Sequence, residues 1–348
     1  MADKTIRRLL IVGNPQEHHV GAHLLAAAAQ LGLTAEIVDV RKAWSANRWF
    51  NRFFFHLCQH RPARLRRFDA EIVAACDRFK PELLLVSGIS PPSATALEQI
   101  GRRGIGRCNF LTDDPWNPKN GAGYFWQSLR QYDVIYNPRR SNLGDLVSHG
   151  CRRVEYLPFG YNPALHFPES PSTAAEKAKC ACDVAIVGGG DADRIPVALA
   201  LVRSGLKVSL YGGYWDRHPE LTPHWRGFVH GRDLRLVVGE ATVNIGFVRQ
   251  ANRDGHAMRS LEFPAMAACL VVEDTAEHRE LFGKAGDSVE YYSQIDDMVQ
   301  TVKTLCAQPE RARLLGRRVV DRICRQSKNT YADRLQRILA DASIQTHP

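Results

Sequence analysis

Two α/β domains, each built on a parallel sheet with helices on both faces, are what the 348-residue sequence predicts. Three observations predict it. A strand-then-helix rhythm runs through the first 158 residues and restarts near residue 182. The strands are near-continuously apolar rather than alternating, which marks strands buried on both faces. Between the two runs, residues 159–181, "FGYNPALHFPESPSTAAEKAKCA", break the rhythm with three prolines and polar residues. The expected organisation is therefore a Rossmann-like domain over 1–158, a hinge over 159–181 and a second Rossmann-like domain over 182–325. A C-terminal helix within 326–348 is expected to pack back on the first domain.

In the first half, "RRLLIVG" (7–13) reads as a strand, and "AHLLAAAAQLG" (22–32) as a helix stopped by Gly32. "AEIVDV" (35–40) is a strand, "AEIVAACDRFK" (70–80) a helix, "ELLLVSG" (82–88) a buried strand and "SATALEQIGRRG" (93–104) a helix. "RCNFLTDD" (107–114), "YDVIYN" (132–137) and "RVEYLPFG" (153–160) follow as strands, with a helix over 140–150. In the second half, "CDVAIVGGG" (182–190) is a strand running into a glycine turn, 194–205 a helix and "KVSLYGG" (207–213) a strand. Residues 234–241 read as helix and 242–248 as strand. "NRDGHAMRSLEFPAMAACLVVED" (252–274) supplies a helix and a strand, and 295–324 and 330–342 are terminal helices. Pro264 is expected near the first turn of its helix, which sets Glu262 close to the helix start.

Composition narrows the classes. The nine cysteines are odd in number and scattered, so neither a disulfide framework nor a zinc site is expected. They read as thiols of a reducing compartment. The short apolar stretch at the N-terminus does not read as a signal peptide, and no run approaches a membrane span. A cytoplasmic protein is the expectation. The formal net charge of +9 favours an anionic partner. The excess is concentrated in 41–67, "RKAWSANRWFNRFFFHLCQHRPARLRR", with eight Lys/Arg, six aromatics and no acid. Trp49, Phe50, Phe53 and Leu57 fall at helical spacing there. The segment reads either as a basic amphipathic helix resting on an anionic membrane surface or an acceptor, or as a helix whose aromatic face packs on its own domain. His56 and His60 belong to that segment rather than to a metal site. No nucleic-acid recognition motif accompanies the charge, so nucleic acid is not an expected partner.

Two such domains are expected to bind ligands at the carboxyl ends of their strands, in a central cleft. Tandem domains of this kind occur in glycosyltransferases, sugar-nucleotide epimerases, phosphorylases and two-domain binding proteins. Dehydrogenases are disfavoured, because neither "GNPQEHHVG" nor "GGGDADR" supplies Gly-x-Gly-x-x-Gly. Gly188, Gly189 and Gly190 lie between a strand and a helix, where backbone N–H groups and the helix N-terminus can meet a phosphate. A tight turn that merely requires glycine is the plain structural alternative.

The second half resembles the CgeB-type, spore-maturation-like glycosyltransferases, a GT-B-fold group related to the retaining family-four glycosyltransferases. The blocks that carry the likeness are "DVAIVGGGDADRI", "VSLYGGYW", "NRDGHAMRSLEFPAMAACLVVEDTAEHRELF" and "TYADRL". Over the first half, "TDDP" (112–115) and "LPFGYNPALHFP" (157–168) are weaker echoes. The resemblance implies a hexosyltransferase of the GT-B fold using a nucleotide-diphosphate sugar, a UDP-sugar first, with retention and without a metal or other cofactor. Retaining relatives carry Glu-x7-Glu. Glu262 matches the second acid, which grips ribose hydroxyls, and the first falls on Asp254, one methylene shorter. Arg249, Arg253, His256 and Arg259 lie around the same loop as donor-binding candidates. The cations would stabilise a departing diphosphate. For Glu262 the structural alternative is an acid at a helix N-terminus, favourable by about 0.3–1 kcal/mol.

The first domain would hold the acceptor. Candidates are Gly13, Asn14, His18 and His19 after the first strand, and Asp113, Trp116 and Asn117 of "DDPWNP". Asp114 in the same motif is the candidate general base. Turn chemistry explains Asp-Asp-Pro and Asn-Pro equally well. A catalytically idle sugar-nucleotide-binding or regulatory protein of the same fold is the alternative function.

Overall fold

The computed structural model describes residues 6–44 and 47–344. The chain divides into two compact units. The first comprises Met1–Pro158, Ala251–Arg253 and Tyr331–Pro348, and the second comprises Phe159–Gln250 and Asp254–Thr330.

In the first unit six strands form one sheet: β1 (Arg8–Gly13), β2 (Thr34–Asp39), β3 (Leu83–Ser87), β4 (Gly106–Phe110), β5 (Val134–Asn137) and β6 (Val154–Tyr156). Their order is β2-β1-β3-β4-β5-β6 and every pairing is parallel. Leu9 to Val12 and Leu83 to Val86 are wholly buried, so both runs are continuously apolar. Phe68 and Ile72 of the helix Leu65–Phe79 and Leu97 and Ile100 of the helix Ala94–Gly101 join Leu10, Val12, Leu84 and Val86 in one core. The helix Val20–Gln30 approaches the end of β1 closely. A Cβ on Gly21 would stand 2.9 Å from the Asn14 carbonyl oxygen, so both Gly13 and Gly21 leave room that a side chain would fill. The C-terminal helix Tyr331–Ile344 packs on this helix, with the His23 and Tyr331 rings stacked at 4.9 Å.

In the second unit β7 (Cys182–Val187), β8 (Val208–Tyr211), β9 (Ala241–Gly246), β10 (Leu270–Glu273) and β11 (Glu290–Tyr292) form a parallel sheet ordered β11-β10-β9-β7-β8. Val184, Ile186, Val243 and Val271 pack with Leu201, Trp215, Met298 and Val302 in its core. Two parallel sheets covered by helices are what the apolar strands predict.

Several expectations need correction. Residues 159–181 all lie in the second unit and contain the helix Ala174–Cys180, N-capped by the Thr173 hydroxyl. The segment is tied down by charge: Glu169 bridges Arg232 and Arg235, both at 2.7 Å, and Glu176 binds Arg232 at 2.7 Å. Residues 326–330 also stay in the second unit, where the Tyr161 N–H donates to the Asn329 carbonyl at 3.0 Å. The strand expected over 107–114 ends at Phe110, which leaves Asp113 and Asp114 in a loop. Pro264 is the sixth residue of the seven-residue helix Arg259–Ala265, not near its start, although Glu262 does stand in the first turn. In so short a helix the missing proline donor removes little, and the Ala267 N–H still bonds the Pro264 carbonyl at 3.0 Å.

Candidate functional site

In the second unit the chain leaves β7 to one side for β8 and returns to the other side for β9. The ends of β7 and β9 therefore flank the topological switch point, where ligands bind in such sheets. Gly188–Gly190 follow β7, and Arg249 follows β9.

The glycine turn does a different job from the one its composition suggests. The Gly188 N–H donates to the Tyr211 carbonyl at 2.8 Å and the Gly190 N–H to the Gly213 carbonyl at 2.9 Å. A Cβ on Gly190 would stand 2.9 Å from the Trp215 ring, so glycine is needed there for packing. The following helix, Arg194–Arg203, has its first N–H taken by the Asp191 carboxylate at 3.1 Å. Two of the three amides and the helix start are thus spoken for, and the turn is a floor rather than a phosphate clamp.

The cations stand beside that floor. Arg194 is the residue that sequence reading missed. Its guanidinium pairs with Asp191, bonds the Gly189 carbonyl at 3.3 Å and lies 5.4 Å from the Phe247 ring centroid. Its Nε is buried without a hydrogen-bond partner. Burial first, and then the positive charges of Arg249 and Arg259, pull its pKa below the ordinary arginine value, against Asp191 and Asp193. Arg249 and Arg259 therefore both lie near enough to act on Arg194. The available signal was position: Arg194 is the first basic residue of the helix after the glycine turn.

Glu262 is buried and forms an ion pair with Arg259. Its other oxygen lies 3.9 Å from His166 Nε2. The Asn162 N–H donates to His166 Nδ1 at 3.1 Å, which makes Nδ1 an acceptor and leaves the ring proton on Nε2, toward Glu262. Asp254 is partly buried, and its N–H bonds the Arg249 carbonyl at 3.2 Å.

Behind these residues stands a brace. His256 is wholly buried; its Nδ1 donates to Glu277 at 2.5 Å, and its Nε2 accepts the Phe159 N–H at 3.3 Å. With both ring nitrogens engaged, His256 positions the loop and does not reach a donor, contrary to the expectation from spacing. The Ser260 hydroxyl donates to His278 Nε2 at 2.8 Å, and His278 Nδ1 donates to the Glu273 carbonyl at 2.7 Å. Burial pushes the His278 pKa down to about 4. The Thr275 hydroxyl donates to the Gly255 carbonyl at 2.5 Å. Glu273, at the end of β10, accepts the Val248 N–H at 2.9 Å, and burial raises its pKa.

In the first unit the acceptor candidates flank the carboxyl ends of β1 and β4. Asn14 Oδ1 accepts the Gln16 N–H at 3.0 Å. The His18 and His19 rings lie 4.5 Å apart, and burial, then His18, lowers the His19 pKa. Asp114 is buried and accepts four hydrogen bonds. They come from the Trp116 N–H at 2.9 Å, Asn142 Nδ2 at 2.7 Å, and Arg253 Nε and Nη2 at 2.8 and 3.2 Å. Three of these bonds fall on Oδ1 and one on Oδ2, so Asp114, placed as a candidate general base by its sequence, is held as an anchor for the Arg253 and Asn142 side chains. Arg253 also binds Asp145 at 2.8 Å. The structure thus gathers Arg253 with Asp114 of its own unit and not with the glycine turn. Asn117 Nδ2 donates to Asn252 Oδ1 at 2.7 Å, and Asn252 Nδ2 reaches Asp113 at 3.5 Å. Trp116 packs edge-on to Trp126 at 5.0 Å. Elsewhere in this unit a cavity of about 960 Å³, lined by Leu57, Arg61, Asp69 and Tyr124 among others, contains none of these candidates.

Residues 196–340 match the family model described as glycosyl transferase-like. No curated protein matches the sequence. Among solved structures, sucrose-phosphate synthase from Thermosynechococcus elongatus is similar at 11% identity and TM-score 0.67, over 97% of this chain and 99% of that one. A trehalose-6-phosphate synthase is similar at 13% identity and TM-score 0.64, over 96% and 99%. HepE of Anabaena, solved with UDP-glucose, is similar at 11% identity and TM-score 0.61, over 96% and 98%. The fold is that of the GT-B glycosyltransferases. Within this GT-B chain the matched segment holds Arg249, Asp254, Arg259 and Glu262, and it begins just after the glycine turn and Arg194.

Proposed function

We propose that this chain is a CgeB-type glycosyltransferase that moves a sugar from a nucleotide-diphosphate sugar, a UDP-sugar first, to an acceptor bound by the first unit. The observation that carries the reading is the grouping of Arg194, Arg249 and Arg259 with Glu262 at the ends of β7 and β9. Arginines gathered at strand ends, with Asp191 and Glu262 beside them, are the donor type that binds a diphosphate through several N–H groups at once. The match over 196–340 and the likeness to a protein solved with UDP-glucose support it.

In this reading the arginines meet the β-phosphate as the glycosidic bond breaks, where negative charge grows. They therefore lower the barrier rather than merely bind, and they do so without a metal ion. Glu262, released from Arg259 as that guanidinium turns to the diphosphate, accepts both hydroxyls of a ribose. His166 Nε2–H steadies the same carboxylate. Asp254 faces the donor sugar, and retention follows from the resemblance alone.

Titration calorimetry with UDP-, GDP- and dTDP-sugars tests the reading. Binding of at least one is expected, and Glu262→Ala removes turnover. Absence of binding by all of them overturns it. One observation favours a sugar-nucleotide-binding protein without turnover: Asp114, the expected base, is buried and already binds Arg253 and Asn142. Donor hydrolysis or transfer above background would exclude that second reading.

A further inference from the structure

The helix Arg48–Leu57 turns its apolar side to water. Trp49, Phe50, Phe53 and Leu57 are 79%, 50%, 53% and 71% exposed. Trp49, Phe53 and Leu57 recur every four residues and so share one face. The helix is set as a helix by Asn47, whose side-chain oxygen accepts the Trp49 N–H at 3.0 Å and the Phe50 N–H at 3.4 Å. Ten residues give a rod of roughly 15 Å. Of the two sequence readings, packing of this face on its own domain is thereby excluded.

The exposed charges nearby are mostly arginine, although Asp69 and Asp77 line the adjoining cavity. Arg52, Arg64, Arg66 and Arg67 are exposed, and none of them has an ion-pair partner among the described residues. Arg41 and Lys42, by contrast, are paired with Asp39 and Glu71. Leu57, Arg61 and Arg66 line the same cavity, which sets the apolar end of the helix and the arginines on one side of the first unit.

We propose that this side docks on an anionic membrane surface. Exposed Trp and Phe on a short helix suit the headgroup–acyl boundary, and unpaired arginines suit lipid phosphates. No described helix is long and apolar enough to cross a membrane, so attachment is lateral. A second copy of this chain is the poorer occupant, because two such faces would bring like charges together. The inference is independent of the donor site.

Sedimentation of the full chain with vesicles tests it. Phosphatidylcholine vesicles containing roughly one third phosphatidylglycerol should bind the chain, and raised salt should release it. Pure phosphatidylcholine should bind about tenfold more weakly or less. Trp49→Ala with Phe53→Ala, and separately Arg64→Gln with Arg66→Gln and Arg67→Gln, should each weaken binding about tenfold or more. All these side chains are exposed, so circular dichroism and UDP-sugar binding should not change, which keeps this test apart from that of the donor site. Four results would overturn the proposal: no vesicle binding, equal binding to neutral vesicles, a dimer abolished by Trp49→Ala, or capture by a polyanion such as heparin without vesicle binding.

Discussion

Two loops at the carboxyl ends of two parallel sheets use the same residue types and reach opposite electrostatic states. In the first unit, Asp114, Asn117, Asn252 and Arg253 close a network in which Asp114 alone accepts four hydrogen bonds. In the second, Arg194 pairs with Asp191 and Arg259 with Glu262, Arg249 and Arg259 both act on Arg194, and the buried Arg194 Nε has no hydrogen-bond partner. A network closed on itself holds shape, whereas a cluster richer in arginine and with a buried donor left over is suited to an anion.

Breaking the closed side should give the largest effect. Asp114→Ala strands the Arg253 and Asn142 donors, and urea unfolding should register a loss of about 2–4 kcal/mol, the upper end softened because Arg253 is partly exposed. A variant of unchanged stability with no turnover would instead return Asp114 to the role of base.

Acid should strain the brace next. His278 has a folded pKa of about 4, below its ordinary 6.5, so the unfolded chain binds the extra proton first as pH falls. Its contribution is complete above pH 6.5 and is lost progressively toward pH 4, on the order of 3 kcal/mol. Unfolding free energies measured across that window should fall with acidification, and His278→Gln should flatten the slope; an unchanged slope removes His278 from the account.

The arginine-rich side should respond differently. Arg194→Met keeps the apolar stem and relieves repulsion, so thermal stability should hold or rise while donor affinity drops about thirtyfold, near 2 kcal/mol. Loss of stability with unchanged affinity would make Arg194 structural. The smallest effect should come from Thr275→Ala, which removes an N-cap and the bond to Gly255, for about 1 kcal/mol of stability.

Strands such as "RLLIVG" and "CDVAIV" were legible because burial on both faces keeps their inner residues apolar. β11 was not, being three residues, "EYY", with the glutamate drawn to Arg311. The helix Gly123–Leu129 was hidden by its glycine start and aromatic content. At the site, the sequence shows charge concentrated around residues 249–262, but spacing cannot say which polar group is already spent. His256 and Asp114 looked available and are engaged, while Arg194 looked like an ordinary helix residue and is strained. The Asx-type bond from the Trp116 N–H to Asp114 is the turn chemistry that Asp-Asp-Pro also allowed.

Neither unit is one continuous stretch of chain. A clone ending at residue 158 would lack the ring of Tyr331 against His23, the Asp341 carboxylate that accepts from Tyr136, and the Arg253 guanidinium that neutralises Asp114. No single crossover in the gene can therefore pass one unit intact to another protein. Exchanging first units between relatives would here require the middle tripeptide and the tail to travel together with the head.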